Sequence, residues 1–211
     1  MTTLLYSHPV CIEHDTGHGH PECPDRLRSV MAGLEISEFK GLERLEAPII
    51  DLKEIELNHQ APYVKEVFDN MPLEGRVYLD PDTSMSPASG EASRRAAGAV
   101  CDAIDKVMSG QADNAFCAVR PPGHHAESNR AMGFCLFNSI AIGAMYARTG
   151  HGLGRVAVVD FDVHHGNGTQ HSFERDSGLF YASSHQWPAY PGTGAGEETG
   201  EFDNICNFPM S

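Results

Sequence analysis

The sequence predicts an α/β fold of three layers, a mainly parallel sheet flanked by helices. Three observations predict it. Val156, Ala157, Val158 and Val159 form an apolar, β-branched run of the kind buried on both faces of a parallel sheet. Asn114 to Val119 (NAFCAV) is a second such run, and each passes directly into a polar loop. Before and between them the spacing predicts helices, above all the long alanine-rich stretch from Gly90 to Ser109 and then Ser139 to Arg148. Strands that alternate with helices build parallel sheets.

Each element has its own cause. Thr3 to Tyr6 is a short strand. The histidine-rich segment that follows, with His8, His14, His18 and His20, reads as a rim loop because Gly and Pro interrupt it and its spacings match no zinc pattern. Pro24 and Asp25 open a helix with Leu27, Val30, Met31 and Leu34 on one face, and Glu22 can pair with Arg26 near its start. Residues 35–60 read as short irregular elements, with a brief strand at Pro48 to Ile50. His59 to Asn70 reads as a helix and Val77 to Asp80 as a strand. In the loop after that strand, Asp82 is a candidate polar rim residue or a turn residue. In the long helix, Ala92, Ala96, Ala99 and Ala103 allow close packing. Ser139 to Arg148 and Gln170 to Arg175 read as helices, Leu179 to Ala182 as a strand, and Asn204 to Asn207 as a further short element. No linker or repeat divides the chain, so residues 1–211 are expected to form one domain.

Composition excludes several classes. The 211 residues carry a net charge of −14, which argues against nucleic acid as a partner and suits a cationic one. No apolar run approaches the ~18 residues of a membrane span. The six cysteines form no CxxC pair and no small disulfide framework, so a reducing, cytoplasmic setting is expected.

The chemistry concentrates at strand ends. After the valine run come Asp160, Phe161, Asp162, Val163, His164 and His165, closed by Gly166-Asn167-Gly168. In an extended chain Asp160, Asp162 and His164 share a face. Charges there are costly to bury unpaired, and a bound cation removes that cost. Oxygen and nitrogen donors without thiolate suit Zn, Mn or Fe. One Asp after a strand is often only a helix cap, but two Asp and two His in six residues are harder to explain so. The second strand runs into Arg120-Pro-Pro-Gly-His124-His125, a stiff loop carrying neighbouring imidazoles, natural proton carriers near neutral pH.

RPPGHHAE, GFCLFN, VDFDVHHGNGTQ and YPGTGAGE, in that order, resemble the zinc-dependent histone deacetylase superfamily. HPECPDRL and Asn167 after HHG resemble its class II branch, with bacterial amidohydrolases and acetylpolyamine deacetylases. The resemblance implies the arginase/deacetylase-like fold and removal of acetyl or other acyl groups from an acylated lysine or polyamine. It implies Asp162 and His164 as two of three zinc ligands and His124 and His125 as the tandem catalytic histidines. Asp160 would orient His124 and join the carbonyls of Ser183 and Ser184 in a potassium site. Asn167 would partner His125. Phe134 and Tyr190 would wall an acyl-lysine tunnel floored by Gly133. Phe173, Asp176 and Leu179 match an outer potassium site.

The family's third zinc ligand and its oxyanion tyrosine belong to later segments that these residues do not include. The expectation is therefore an N-terminal portion of the family domain. Two further readings stay open: a catalytically inactive scaffold or binding module, and an arginase-like hydrolase with two metals. A missing sheet edge would also invite association, so a homo-oligomer is among the expected partners.

Overall fold

A computed structural model describes all residues, 1–211. The strands are β1 (Thr3–Ser7), β2 (Glu43–Glu46), β3 (Val77–Asp80), β4 (Thr83–Met85), β5 (Asn114–Cys117), β6 (Val156–Asp160), β7 (Leu179–Gln186) and β8 (Ile205–Met210). The helices are α1 (Val10–Glu13), α2 (Pro24–Gly33), α3 (Leu52–Ile55), α4 (Ala61–Asp69), α5 (Ser89–Met108), α6 (Ser139–His151) and α7 (Asn167–Phe173).

The parallel strands form two sheets of three, in the orders β2-β1-β5 and β6-β7-β8, beside a β3-β4 antiparallel hairpin. No ladder joins β5 to β6. Helices α5 and α6 pack on one another and span the gap between these strands. The predicted alanine stripe lies on the buried face of α5, where Ala92, Ala99 and Ala103 cluster with residues of β1 and α1: Ala92, Ala96, Ala99 and Ala103 are all buried. Asn138 caps α6 by accepting the Ala141 N–H at 3.1 Å, and Gly152 ends it with φ 68°. A second layer of apolar side chains, Tyr63, Val64 and Val67 of α4 with Leu136, Phe137 and Ile142, seals the far side.

Several expectations need correction. The strand predicted at Pro48 to Ile50 is absent. The chain there is tied to helix α5 through the Ile50 N–H and the Arg94 carbonyl, and Ile49 is exposed. The strand instead forms at Glu43–Glu46, whose charged side chains suit a sheet edge. The histidine-rich segment contains α1. Helix α7 starts at Asn167 rather than Gln170, and β4 was not foreseen. On α2 only Leu27 is buried, and Val30 points to solvent.

Neither β5 nor β6 is buried on both faces. Each is an edge strand, and Phe116 is 49 % exposed and Val159 71 % exposed. Between them runs an apolar trough. One stretch, of about 470 Å³, is lined by Val100, Ile104 and Val107 of α5, Ile140 and Ala144 of α6, and both strands. It continues into a stretch of about 600 Å³ that ends at His124, Asp160 and Asp162.

Candidate active site

Two strand ends and two loops make the site. Strand β5 delivers the loop Arg120–His125, and β6 delivers Asp160 to Gly166. Arg120 anchors the first loop: its guanidinium, buried against Glu22, also donates to the carbonyls of Cys11 and His14 at 2.7 and 3.1 Å. The loop then turns His124 and His125 side by side, with ring centroids 4.0 Å apart.

The two imidazoles have different partners. His124 Nδ1 lies 2.9 Å from Asp160 Oδ2. His125 Nδ1 lies 2.8 Å from Asn167 Oδ1. An amide oxygen only accepts, so His125 keeps its hydrogen on Nδ1 and presents a bare Nε2. Burial, helped by neighbouring His124, pushes the His125 pKa down to about 4, so the ring is neutral near pH 7. Burial opposes ionisation of Asp160. The hydrogen bond and charge of His124, the Asp162 N–H and the Tyr181 hydroxyl outweigh it and hold the carboxyl below its usual range. Asn167 is itself held, since its Nδ2 donates to Glu127 Oε1 at 3.0 Å.

Asp160 does not join Asp162 and His164 in one donor cluster. The strand ends at Asp160, and the turn after it breaks the period-2 alternation. Asp160 points to His124 and Tyr181, while its Oδ1 accepts the Asp162 N–H at 3.1 Å. Asp162 Oδ1 lies 3.5 Å from His164 Nδ1 and 4.0 Å from His124 Nε2. Asp162 and His164 are thus a close oxygen–nitrogen pair, each nearly half exposed, with Asp162 at the trough's end. No cluster of three His, Cys, Asp or Glu side chains arranged to hold a metal is present.

Backbone shape sets the rest. Gly133 has φ 57°, and a Cβ there would stand 2.3 Å from His125 Cδ2, so only glycine fits. Gly166 packs likewise: a Cβ would lie 2.4 Å from Asp160 Oδ2. Phe134 adopts φ 69°, unusual for a large side chain. Asp82 and Thr83 hold that turn: Gly133 N–H donates to Asp82 Oδ1 at 3.1 Å and Phe134 N–H to Thr83 Oγ1 at 3.0 Å. Asp82 is therefore a turn-holding residue beside the site. Phe134 meets His20 edge-on at 4.6 Å. Tyr190 stands edge-on to His125 at 5.1 Å and to His164 at 5.9 Å.

Ser183 is the register partner of Asp160 across the β6–β7 ladder, with Ser184 next to it. Phe173 ends α7, Leu179 opens β7, and the Asp176 carboxylate pairs with Arg148. Tyr181 is a residue that sequence reasoning missed. Its hydroxyl donates to Asp160 Oδ2 at 2.9 Å and accepts the Gly166 N–H at 3.0 Å. Strand alternation gave the signal, because Leu179, Tyr181, Ser183 and His185 all point inward. Glu198 was missed too. It accepts the Gly194 and Ala195 N–H groups and clasps the loop that carries Tyr190.

Comparison with known proteins supplies the family and the fold. A family model described as a histone deacetylase domain matches residues 20–211. An uncharacterized protein of Synechocystis is 41% identical over the whole of this chain, which spans 69% of that protein. The histone deacetylase-like amidohydrolase of Pseudomonas aeruginosa is 39% identical over 87% of this chain, which spans 48% of it. The crystal structure of the HDA15 HD domain superposes with a TM-score of 0.94 at 36% identity. It covers 100% of this chain, while this chain covers 62% of it.

Proposed function

This chain belongs to the histone deacetylase family, and from that premise we propose that it carries the acid–base half of a zinc-dependent amide hydrolase acting on acetyl-lysine or acetylpolyamine. One observation carries the reading. Neighbouring histidines have unlike partners, an amide for His125 and a carboxylate for His124. Such a pair separates a neutral base from an electrostatic support.

Asp162 and His164 fit zinc as two of its donors by type and proximity. When bound there, zinc supplies polarisation of the amide carbonyl and acidification of water. The residues do the remainder. His125 Nε2 takes a proton from the attacking water and returns it to the leaving amine nitrogen. Asn167 holds His125 Nδ1 and so keeps His125 Nε2 free, and Asp160 sets a negative charge behind His124. Phe134 and Tyr190 flank the acyl chain, with Gly133 beneath. Asp160, with the carbonyls of Ser183 and Ser184, would hold a potassium ion. A lysine or polyamine chain suits the net charge of −14. Six free cysteines fit a cytoplasmic setting.

One observation favours a second reading, a non-catalytic binding module: only two donors converge at the metal pair. Zinc titration and hydrolysis of an acetyl-lysine peptide separate the two. The expected result is zinc binding that is lost in Asp162→Ala and His164→Ala, with whatever turnover the chain shows abolished in His125→Ala. Zinc binding that survives both ligand variants would overturn the metal assignment. Bound zinc without His125-dependent turnover would favour the module.

A further inference from the structure

Three backbone carbonyls converge on one side chain just before β8. Asn204 Nδ2 lies 2.8 Å from the Phe173 carbonyl, 3.1 Å from that of Asp176 and 2.7 Å from that of Leu179. Asn204 is 6% exposed, and its Oδ1 is buried without a hydrogen-bond partner. A carboxamide has two N–H hydrogens, so three acceptors share two of them. The carbonyls come from the last residue of α7, the turn after it and the first residue of β7. Such a ring of carbonyl oxygens is the chemistry that holds a desolvated potassium ion. These are also the three positions that match an outer potassium site of the family.

The donor set here does not fit that ion, because a nitrogen already sits among the oxygens. The Asp176 carboxylate does not enter either; it meets Arg148 and the Gly178 N–H. The opposite amide orientation would turn Oδ1 onto three carbonyl oxygens with no hydrogen between them, which only a cation makes tolerable. Gly200 backs Oδ1 closely, since a Cβ there would lie 2.6 Å from it.

We propose that Asn204 replaces the outer cation: its carboxamide N–H group supplies to the carbonyls of Phe173, Asp176 and Leu179 the positive pole that a potassium ion would supply. This corner then needs no monovalent ion. The α7–β7 turn, which links Asn167 on α7 to Ser183 on β7, is fastened by hydrogen bonds from a side chain of the protein itself.

Rubidium tests this directly, because it substitutes for potassium and scatters anomalously. Crystals of the wild-type chain and of Asn204→Asp, soaked in rubidium chloride, should differ. The wild type should show no rubidium among the three carbonyls, and Asn204→Asp should show one. Melting gives the second readout, in potassium chloride against choline chloride at equal ionic strength. Asn204→Asp should melt roughly 5–10 °C lower than wild type in choline, as expected for two or three lost buried hydrogen bonds. Potassium should restore more of its melting temperature than it adds to wild type, a difference that cancels any ion held at Asp160. Asn204→Ala should lose stability in both salts. Rubidium in the wild-type cage would overturn the proposal. So would an Asn204→Asp cage that stays empty, or an Asn204→Ala chain that melts like wild type. None of these readouts uses turnover, so they stand whether or not the chain hydrolyses amides.

Discussion

Arg120 and Glu22, 98 residues apart in sequence, form a buried two-pronged ion pair: Nε reaches Oε1 at 2.5 Å and Nη2 reaches Oε2 at 2.6 Å. The pair joins the loop before α2 to the first residue of the loop that carries His124 and His125. Its carboxylate also lies 3.7 Å from buried His14. The sequence suggested Glu22 with Arg26, which is 3.6 Å away and mostly exposed, a weaker partner.

Removing one half of this pair leaves a buried charge without compensation. Glu22→Gln is expected to destabilise the fold by about 3–5 kcal/mol. The double change Glu22→Gln with Arg120→Gln removes both charges and is expected to cost less than Glu22→Gln alone. Urea denaturation of the variants measures both, and equal losses would contradict the pairing.

Gly133 is predicted to tolerate no side chain. A Cβ 2.3 Å from the His125 ring must push that ring off Asn167. Gly133→Ala should therefore cut turnover by on the order of 10²-fold. The His125 ring signals in nitrogen-correlated NMR should move as well. Unmoved signals would show that the ring has room to spare.

Stability is expected to fall with acid before the carboxylates titrate. Burial holds His14 at a pKa of about 4 against an ordinary value of 6.5, although Glu22 beside it pulls the other way. Burial holds His59 at about 4 too, with the carbonyl side of Glu127 and Ser128 facing it. Both pKa values are depressed in the folded state, so between pH 6.5 and 4 the unfolded chain binds more protons. Their contribution is complete above the unfolded value and is lost as pH falls toward 4, on the order of 3 kcal/mol for each ring. His125 and His165, also depressed to about 4, act in the same direction. Denaturation curves at pH 7.5, 6 and 5 check this, and superimposable curves would refute it.

In a polypeptide of residues 1–211, the open edge of β6 is expected to cause self-association. Val159 is 71% exposed, and Phe161 beyond the strand is 87% exposed. Unpaired strand groups beside apolar side chains recruit further strands. Sedimentation should show association that grows with concentration, and Val159→Lys or Phe161→Glu should suppress it. A wild-type chain that stays monomeric throughout would refute this.

The sequence by itself determined the parallel α/β class, the alanine face of α5 and the loops that carry His124, His125, Asp162 and His164. Each is a local matter of side-chain period, stiff prolines or polar residues following an apolar run. The same local reading misjudged β5 and β6, because β-branched residues favour a strand whether its second face is covered or bare. Tertiary structure decided what lies opposite what. It turned Asp160 away from Asp162 and onto His124 and Tyr181. It added Arg120 as the buried partner of Glu22 beside the exposed Arg26, and it closed the carbonyls of Phe173, Asp176 and Leu179 on Asn204. Those partners are distant in sequence or depend on where a strand stops, and spacing along the chain carries no record of either.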